Sequence, residues 1–256
     1  MTSYQAVLSE HGHWIGWDAT SGHALVTGQT GSGKSASLYD LLCIASHDPQ
    51  TQVVGIDPSG VTGAPFARVH PRDWVVGGAD IGVQAIELLE AVVAEMDRRT
   101  RALGRMDLDK LPDHLLGRKL FAIRVVLEEY TALLSAVSRK QKDEITTLVG
   151  RILREGRKAR INVLTVVQRP EAAVLHDRGQ YQDLFLHLLE NRTSVEMVLN
   201  DADEEVVKML TTLSPGEGGY KRIGPKPIAR FRSPLMEFSE YSARVKNFLR
   251  TPPFRK

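Results

Sequence analysis

The sequence predicts an α/β fold with a mostly parallel sheet and helices on both faces. Three observations lead to this prediction. Short apolar runs alternate along the chain with longer segments whose apolar residues recur at helical spacing. A glycine-rich turn at residues 28–35 follows the apolar run 24–27 and precedes a helical segment at 35–46. Two carboxylates, Glu128 and Glu129, end another apolar run, and ligands of such sheets bind at the carboxyl ends of the strands.

The remaining elements follow from the same periodicities. The runs 4–8 and 13–17 are expected to form an N-terminal hairpin, with Gly12 near its turn. Further strands are expected at 53–56, 74–76, 121–127, 161–167 and 225–232, and helices at 83–101, 141–159 and 239–249. The run 184–189 suits a helix or a strand, 195–200 a strand or helix end, 104–119 a loop or broken helix, and 214–219 a turn cluster.

Length and composition indicate one large α/β domain over residues 1–256, with the hairpin in 1–20 and a terminal strand and helix in 225–256. The net charge of +2 is too small to demand nucleic acid by itself. The single cysteine, Cys43, excludes a disulfide within the chain. No signal pattern and no apolar run of about 18–20 residues is present. We therefore expect a cytoplasmic protein.

Residues 28–35 read Gly-Gln-Thr-Gly-Ser-Gly-Lys-Ser and fit the phosphate-binding pattern G-x4-G-K-[S/T]. In such a turn the backbone N–H groups point at the phosphates, Lys34 adds a positive charge and the Ser35 hydroxyl ligates Mg²⁺. The alternative is a flexible turn before a helix, which the strand–turn–helix order disfavours. The sequence therefore predicts ATP and Mg²⁺ as cofactors. The expected nucleotide contacts are Gly28, Gln29, Thr30, Gly31, Ser32, Gly33, Lys34, Ser35 and Ala36.

The acidic pair Glu128 and Glu129 follows the apolar strand 122–127. In an ATPase of this kind the first acid helps to hold Mg²⁺, and the second deprotonates the attacking water. Glu128 is thus the candidate metal ligand, together with Ser35, and Glu129 is the candidate base. The first acid is usually aspartate, so Glu128 weakens the metal assignment. The alternative is that two acids begin a surface turn.

Gln168 follows the strand expected at 161–167. An amide at that position can bond both the γ-phosphate and the lytic water, and so report the nucleotide state. Gln168 therefore joins the candidate catalytic residues. The alternative is an ordinary exit from a strand into a loop.

Together these motifs resemble the FtsK/SpoIIIE-type DNA-pumping motors of the HerA-FtsK group, and the likeness covers nearly the whole chain. The matching strings run in the family's order. They are residues 23–27 with the phosphate turn, Ile-Asp-Pro at 56–58, Glu-Met-Asp-Arg-Arg at 95–99, 156–161 followed by Gln-Arg-Pro at 168–170, and Pro-Gly-Glu-Gly at 215–218. The resemblance implies a RecA-like P-loop NTPase that forms a homo-hexameric ring around double-stranded DNA and moves it by hydrolysing ATP.

The resemblance also implies roles for single residues. Lys34 and Ser35 correspond to nucleotide and Mg²⁺ contacts, Glu129 to the general base and Gln168 to the sensor. Arg157 falls where the family places an arginine that reaches into the neighbouring subunit's site. A guanidinium there stabilises charge on the transferred phosphoryl group. The alternative is that Arg157 is one of several helix-face cations, and its nearest competitors are Arg151, Arg154 and Arg160.

Contacts with DNA phosphates are expected from lysines and arginines, whose binding is independent of base sequence. The candidates before the acidic strand are Arg101, Arg105, Lys110, Arg118 and Lys119, and Arg178 is the candidate after Gln168. The family's membrane anchor and DNA-reading domain have no counterpart in the sequence. We therefore expect a separate membrane-anchoring or recruiting protein, or a version from a mobile element, plasmid or phage.

Three functions stay open on the sequence. The first is a double-stranded DNA translocase of the FtsK type. The second is a conjugative coupling or DNA-packaging ring ATPase that acts on single-stranded DNA or nucleoprotein, and it differs mainly in its pore loops. The third is a non-hydrolysing, nucleotide-gated assembly scaffold, which Glu128 in place of aspartate makes conceivable.

Overall fold

The computed structural model describes residues 4–9, 14–117, 120–172, 174–175, 177–224 and 226–250. Its strands form one ten-stranded sheet in the order β2-β1-β10-β9-β8-β3-β7-β6-β4-β5. The strands are β1 (Tyr4–Ser9), β2 (Trp14–Trp17), β3 (His23–Thr27), β4 (Thr51–Asp57), β5 (Trp74–Val76), β6 (Ala122–Leu127), β7 (Ile161–Val167), β8 (Tyr181–Leu186), β9 (Glu217–Arg222) and β10 (Ala229–Arg232).

The larger part of the sheet is parallel, as the alternating pattern predicts. The neighbours β8, β3, β7, β6, β4 and β5 pair in parallel. Every side chain of β3, β6 and β7 is buried, which explains why these strands are mostly apolar and do not alternate between apolar and polar residues. Their carboxyl ends lie at one edge of the sheet.

The rest of the sheet is antiparallel. The expected N-terminal hairpin is confirmed, since β1 pairs with β2, although Gly12 lies outside the described residues. β1 also pairs with β10, so the hairpin extends the main sheet instead of standing apart from it. β9 links the two parts by pairing antiparallel with both β10 and β8.

Helices cover both faces of the sheet, as expected. The helices are α1 (Lys34–His47), α2 (Ala64–Ala67), α3 (Ile81–Arg105), α4 (Tyr130–Ala136), α5 (Arg139–Glu155), α6 (Arg192–Val198), α7 (Glu204–Thr211) and α8 (Phe238–Arg250). Apolar side chains of α3, α4 and α5 pack on one face, and those of α1 and α8 pack on the other. A smaller core joins β8 to α6 and α7.

Several expected boundaries are corrected. The turn cluster expected at 214–219 is wrong in its second half, because β9 begins at Glu217. The ambiguous run 184–189 belongs to strand β8, and 195–200 overlaps helix α6. The helix expected at 141–159 begins at Arg139 behind a capping box made by Ser138 and Gln141, and it ends at Glu155. A 3₁₀ turn at Gly156–Ala159 follows. Its first residue leaves no room for a side chain, because a Cβ on Gly156 would lie 2.4 Å from the Ile161 carbonyl oxygen.

The N-terminal strands are fastened to the parallel core by Arg124 of β6. Its side chain is fully buried, and its guanidinium lies 4.9 Å from the centroid of the Trp17 ring. The guanidinium donates to the carbonyl oxygens of Ala19 at 2.6 Å and Gly22 at 2.7 Å. Burial lowers the pKa of Arg124 to about 10, so the group stays charged at neutral pH. It therefore holds the segment between β2 and β3 in place.

Replacing Arg124 with alanine should lower the free energy of unfolding by about 3–5 kcal/mol, because the change leaves a cavity and unpaired buried carbonyl groups. Urea denaturation followed by circular dichroism measures this difference. Lys140→Ala, at an exposed position of α5, is the control and should change the value by no more than about 0.5 kcal/mol. An unaltered urea midpoint in Arg124→Ala would contradict the anchoring role.

Candidate active site

The candidate catalytic groups of the sequence converge where three neighbouring strands end. β7 lies between β3 and β6, with Thr27 opposite Val167 and Leu127 opposite Thr165. The phosphate turn leaves β3, the acidic pair leaves β6, and Gln168 leaves β7. Because parallel strands end at the same edge, residues more than a hundred positions apart meet in one cleft.

The phosphate turn has the backbone that its glycines suggest. Gly31 and Gly33 have φ angles of 79° and 97°, values that favour glycine. Gly33 is also sterically constrained, since a Cβ there would lie 2.5 Å from the Gly216 nitrogen. The Gly216 N–H donates to the Ser32 carbonyl oxygen at 2.9 Å. The turn before β9 therefore supports the phosphate turn from outside, and α1 begins at Lys34, one residue earlier than expected.

Lys34 lies beside the acidic pair. Burial lowers the pKa of Lys34, and the charges of Glu129 and Glu128 act in the opposite direction. Its Nζ donates to the Gln29 carbonyl oxygen at 3.0 Å. The lysine therefore spans the turn at the position where phosphate oxygens are expected, with both carboxylates close to it.

Glu128 is buried, and burial raises its pKa to about 8, with Asp57 and Glu129 adding to the rise. Its Oε2 has no hydrogen-bond partner among the described residues. A buried, unpartnered carboxylate oxygen near the phosphate turn suits a hard cation. Ser35 is exposed in the first turn of α1. The residues therefore fit Mg²⁺. Ser35 and Glu128 are the side chains that would hold the ion, and the ion would neutralise charge on the phosphates.

No group of three or more His, Cys, Asp or Glu side chains in the described ranges could hold a metal ion by itself. Mg²⁺ is usually bound by one or two protein groups together with substrate phosphates. A site made of Ser35 and Glu128 is of this kind.

Glu129 has an unusual backbone, with φ at 45° and ψ at 47°, and it precedes α4. This left-handed conformation turns the chain at the end of β6, so that the two adjacent acids need not point to opposite faces as they would within a strand. The Glu129 Oε1 accepts a hydrogen bond of 2.8 Å from Gln168 Nε2. The candidate base and the candidate sensor are thus in direct contact.

Asp57 has a structural part in the site that the sequence reading did not assign. Its carboxylate accepts hydrogen bonds from the N–H groups of Ser59, Gly60 and Gly63. These bonds shape the loop that carries Thr62, whose side chain acts to lower the pKa of Glu128 against the larger effect of burial. The Asp-Pro pair that ends β4 was the available signal, but its partners lie in a loop without a motif.

Arg157 does not reach the site of its own chain. It lies in the 3₁₀ turn before β7, at the opposite edge of the sheet from Gln168. The length of β7 separates the two edges by roughly 20 Å. The charge of Arg157 contributes to lowering the pKa of His23, the first residue of β3, which places both residues at that edge.

The described DNA-binding candidates also lie toward this opposite edge and are exposed. Arg101 and Arg105 are in the last turns of α3, and Lys110 precedes Leu111, whose N–H donates to the Lys158 carbonyl oxygen. Arg178 directly precedes β8. Arg118 and Lys119 lie outside the described residues.

Comparison with known proteins supports the family resemblance. Residues 8–113 match the FtsK/SpoIIIE family. The DNA translocase SftA of Bacillus subtilis is 30% identical over 164 residues, which are 60% of this chain and 16% of SftA. These matches support an FtsK/SpoIIIE-type motor domain in this chain. An FtsK domain-containing protein of the same organism, YdcQ, is 23% identical over 89% of this chain and 46% of its own length. The matched part of this chain thus spans less than half of either relative.

Solved structures show the same fold. The conjugation coupling protein TcpA of pCW3, in its monomer form with ATPγS, superposes with a TM-score of 0.72 at 20% identity, over 96% of this chain and 71% of TcpA. The cytoplasmic domain of the Type VII secretion ATPase EccC from Thermomonospora curvata gives 0.71 at 23% identity, over 97% of this chain and 31% of EccC. This chain therefore shares the α/β fold of these two proteins.

A buried polar network lies behind the phosphate turn, and the sequence did not predict it. His187 follows β8, and its Nδ1 lies 3.0 Å from the Glu217 carbonyl oxygen. A carbonyl only accepts, so Nδ1 carries the proton and Nε2 accepts from the Ser37 hydroxyl at 2.9 Å. Ser37 also contacts the Ser233 hydroxyl. A polar residue inside the apolar run 184–189 was the only signal in the sequence.

The network ties the phosphate turn to the C-terminal strands. A Cβ on Gly28 would lie 2.6 Å from the His187 Cβ, so the turn packs directly on this side chain. Burial and, to a lesser degree, the charge of Lys34 lower the pKa of His187 to about 4, although the hydrogen bond to Glu217 acts in the opposite direction. The histidine is therefore neutral in the folded domain near pH 7.

Unfolding free energy should fall as the pH drops from about 6.5 to about 4, because the unfolded chain then binds a proton that folded His187 does not. The loss assigned to His187 is about 2–3 kcal/mol. Chemical denaturation across this pH range measures it, and His187→Gln should show a shallower fall. His23, whose pKa burial lowers to about 3, keeps part of the pH dependence in the variant. The exposed His114→Gln is the control, and equal slopes in all three proteins would contradict the prediction.

Proposed function

We propose that this chain is the motor domain of an ATP-dependent double-stranded DNA translocase of the FtsK/SpoIIIE type. The proposal is carried by one observation. The phosphate turn, the acidic pair and Gln168 meet at a single edge of the sheet in a domain of this family. SftA, the relative with 30% identity, is a DNA translocase.

In the proposed reaction the protein positions groups and stabilises charge. The N–H groups of the phosphate turn and Lys34 bind the phosphates of ATP. Glu129 accepts the proton of the attacking water, and Gln168 bonds the γ-phosphate. When bound, Mg²⁺ neutralises charge that develops on the phosphate oxygens.

Arg157 is proposed to act on the site of a neighbouring subunit. Its distance from its own Gln168 excludes a role within one chain, as described above. Its competitors are engaged, since Arg151 pairs with Asp97, Arg154 with Asp177 and Arg160 with Asp113. Arg157 is exposed and makes no side-chain hydrogen bond or ion pair with any described residue. An arginine in this state is available to a second copy, and we propose a homo-hexameric ring.

The DNA is proposed to be held through its phosphates by the exposed cations at the edge that carries Arg157. Such contacts do not depend on base sequence and weaken with salt. We propose that the protein acts in the cytoplasm, comes from a mobile element, plasmid or phage, and relies on a separate anchoring or recruiting protein. The likeness to a conjugation coupling protein supports an origin in a mobile element.

The same likeness favours a second candidate function. TcpA is a conjugation coupling protein, and a coupling ATPase would act on single-stranded DNA or nucleoprotein. The two candidates share the nucleotide chemistry and differ in the nucleic acid that stimulates it.

ATP turnover should rise when long linear duplex is added, and the rise should shrink steeply as salt increases, because phosphate contacts release counterions. Phosphate release measured with duplex, with single strands and without DNA tests this. Lys34→Ala is the negative control, since the phosphate turn loses its only lysine. Stimulation by single strands alone would favour the coupling candidate. Turnover that neither nucleic acid changes would contradict both.

Mixed assemblies test Arg157. Arg157→Ala and Glu129→Gln subunits should each be nearly inactive, since the arginine is typically worth about 10³–10⁵ in rate. Mixing them should restore part of the hydrolysis, because some interfaces then combine an intact base with an intact arginine. Phosphate release and size-exclusion chromatography measure activity and assembly. The control mixes Lys34→Ala subunits with Glu129→Gln/Arg157→Ala subunits, which leaves no site that has both Lys34 and Glu129 intact. Absence of recovery in assembled rings would return Arg157 to the surface-cation alternative.

A further inference from the structure

We propose that Thr30, within the phosphate turn, is a positioning residue that orients the base Glu129 through Gln168. This inference rests on the proposed ATP hydrolysis at this site. It assigns to the Thr30 side chain a task separate from the nucleotide contacts made by the backbone of the turn.

The three side chains form a continuous chain of hydrogen bonds. Thr30 Oγ1 donates to Gln168 Oε1 at 3.2 Å, and Gln168 Nε2 donates to Glu129 Oε1 at 2.8 Å. The residues come from the ends of β3, β7 and β6, which are neighbours in the sheet. These hydrogen bonds therefore connect the phosphate turn to the base.

The donors and acceptors fix the orientation of the Gln168 amide. The Gln168 NH₂ group faces Glu129 Oε1, which accepts from it, and the Gln168 carbonyl oxygen faces Thr30. The Thr30 hydroxyl then donates to that oxygen. A reversed amide would place Oε1 against Glu129 Oε1, two acceptors in contact. The hydroxyl of Thr30 holds the favourable orientation from the far side.

The hydrogen bond from Gln168 distinguishes the two carboxylate oxygens of Glu129. Its Oε1 is occupied, and its Oε2 makes no hydrogen bond with the described residues, so Oε2 is the atom that can accept a proton from water. The left-handed backbone of Glu129 sets the position of Cα, and the Gln168 bond sets the direction of the carboxylate. Without Thr30 the amide can rotate, and the carboxylate loses that fixed direction.

This arrangement separates binding from chemistry. The phosphates are expected to contact backbone N–H groups of the turn and Lys34, and none of these depends on the Thr30 hydroxyl. Removing the hydroxyl should therefore lower kcat and leave nucleotide affinity nearly unchanged. Replacing threonine with serine keeps the hydroxyl and should keep the rate.

The experiment compares Thr30→Val, Thr30→Ser, Gln168→Ala and the double variant Thr30→Val/Gln168→Ala in the full chain. Steady-state turnover gives kcat and KM, and a fluorescent ATP analogue gives the dissociation constant. Thr27→Val is the matched control, because Thr27 directly precedes the turn and its buried Oγ1 has no hydrogen-bond partner among the described residues. Its kcat should match that of the unmodified protein.

Thr30→Val should lower kcat by about three- to tenfold, the effect expected from one lost hydrogen bond, with nucleotide affinity within about twofold. Thr30→Ser should restore most of the rate. The double variant should equal Gln168→Ala alone, because a residue that acts only through Gln168 has no further effect once Gln168 is gone.

The inference would be overturned if the fold-losses in kcat of Thr30→Val and Gln168→Ala multiplied in the double variant. It would also be overturned if Thr30→Val lowered only nucleotide affinity, or if Thr30→Ser were as slow as Thr30→Val. Each of these results leaves the proposed function standing, because the unmodified chain still hydrolyses ATP. If the unmodified chain hydrolyses no ATP, the proposed function fails and this inference fails with it.

Discussion

The placement of β7 between β3 and β6 is the constraint on which the candidate site depends. Each strand delivers one component, and parallel pairing in this register brings the phosphate turn, the acidic pair and Gln168 to the same edge. The hydrogen bond between Gln168 and Glu129 follows from this pairing. A one-residue register shift between β6 and β7 would separate the sensor from the base and turn each side chain of the shifted strand to the opposite face of the sheet.

The antiparallel strands have a part in the same site, although they lie on the other side of β3. The turn before β9 packs on Gly33, and His187 connects Ser37 of α1 to the backbone of Glu217. These contacts hold a turn whose left-handed glycines would otherwise be free to change conformation. The family match ends at residue 113, whereas the groups that support the phosphate turn come from beyond residue 180. The site is therefore a property of the whole sheet.

The sequence predicted the components whose signals are local. The phosphate turn follows from its glycines and lysine, and the predicted bounds of β7 at 161–167 are correct because this mostly apolar run is followed by the polar Gln168. β9 was read partly as a turn because Gly218 and Gly219 lack side chains, and the structure shows why: a Cβ on Gly218 would lie 2.2 Å from the Phe231 ring. The roles of His187 and Thr62 could not be predicted, since each depends on contacts with distant segments that no motif marks.

The two edges of the sheet carry complementary halves of one proposed reaction. One edge has the acids and the phosphate turn, and the other has Arg157 and the exposed cations. A single chain cannot bring Arg157 to its own Gln168, because the rigid, fully buried β7 lies between them. On the proposed role of Arg157, catalysis needs a second copy that presents its opposite edge, and a head-to-tail contact of this kind closes into a ring when the rotation between copies permits. The separation of the two edges would then make hydrolysis depend on assembly, and assembly around DNA would place the exposed cations of every copy beside the same phosphate backbone.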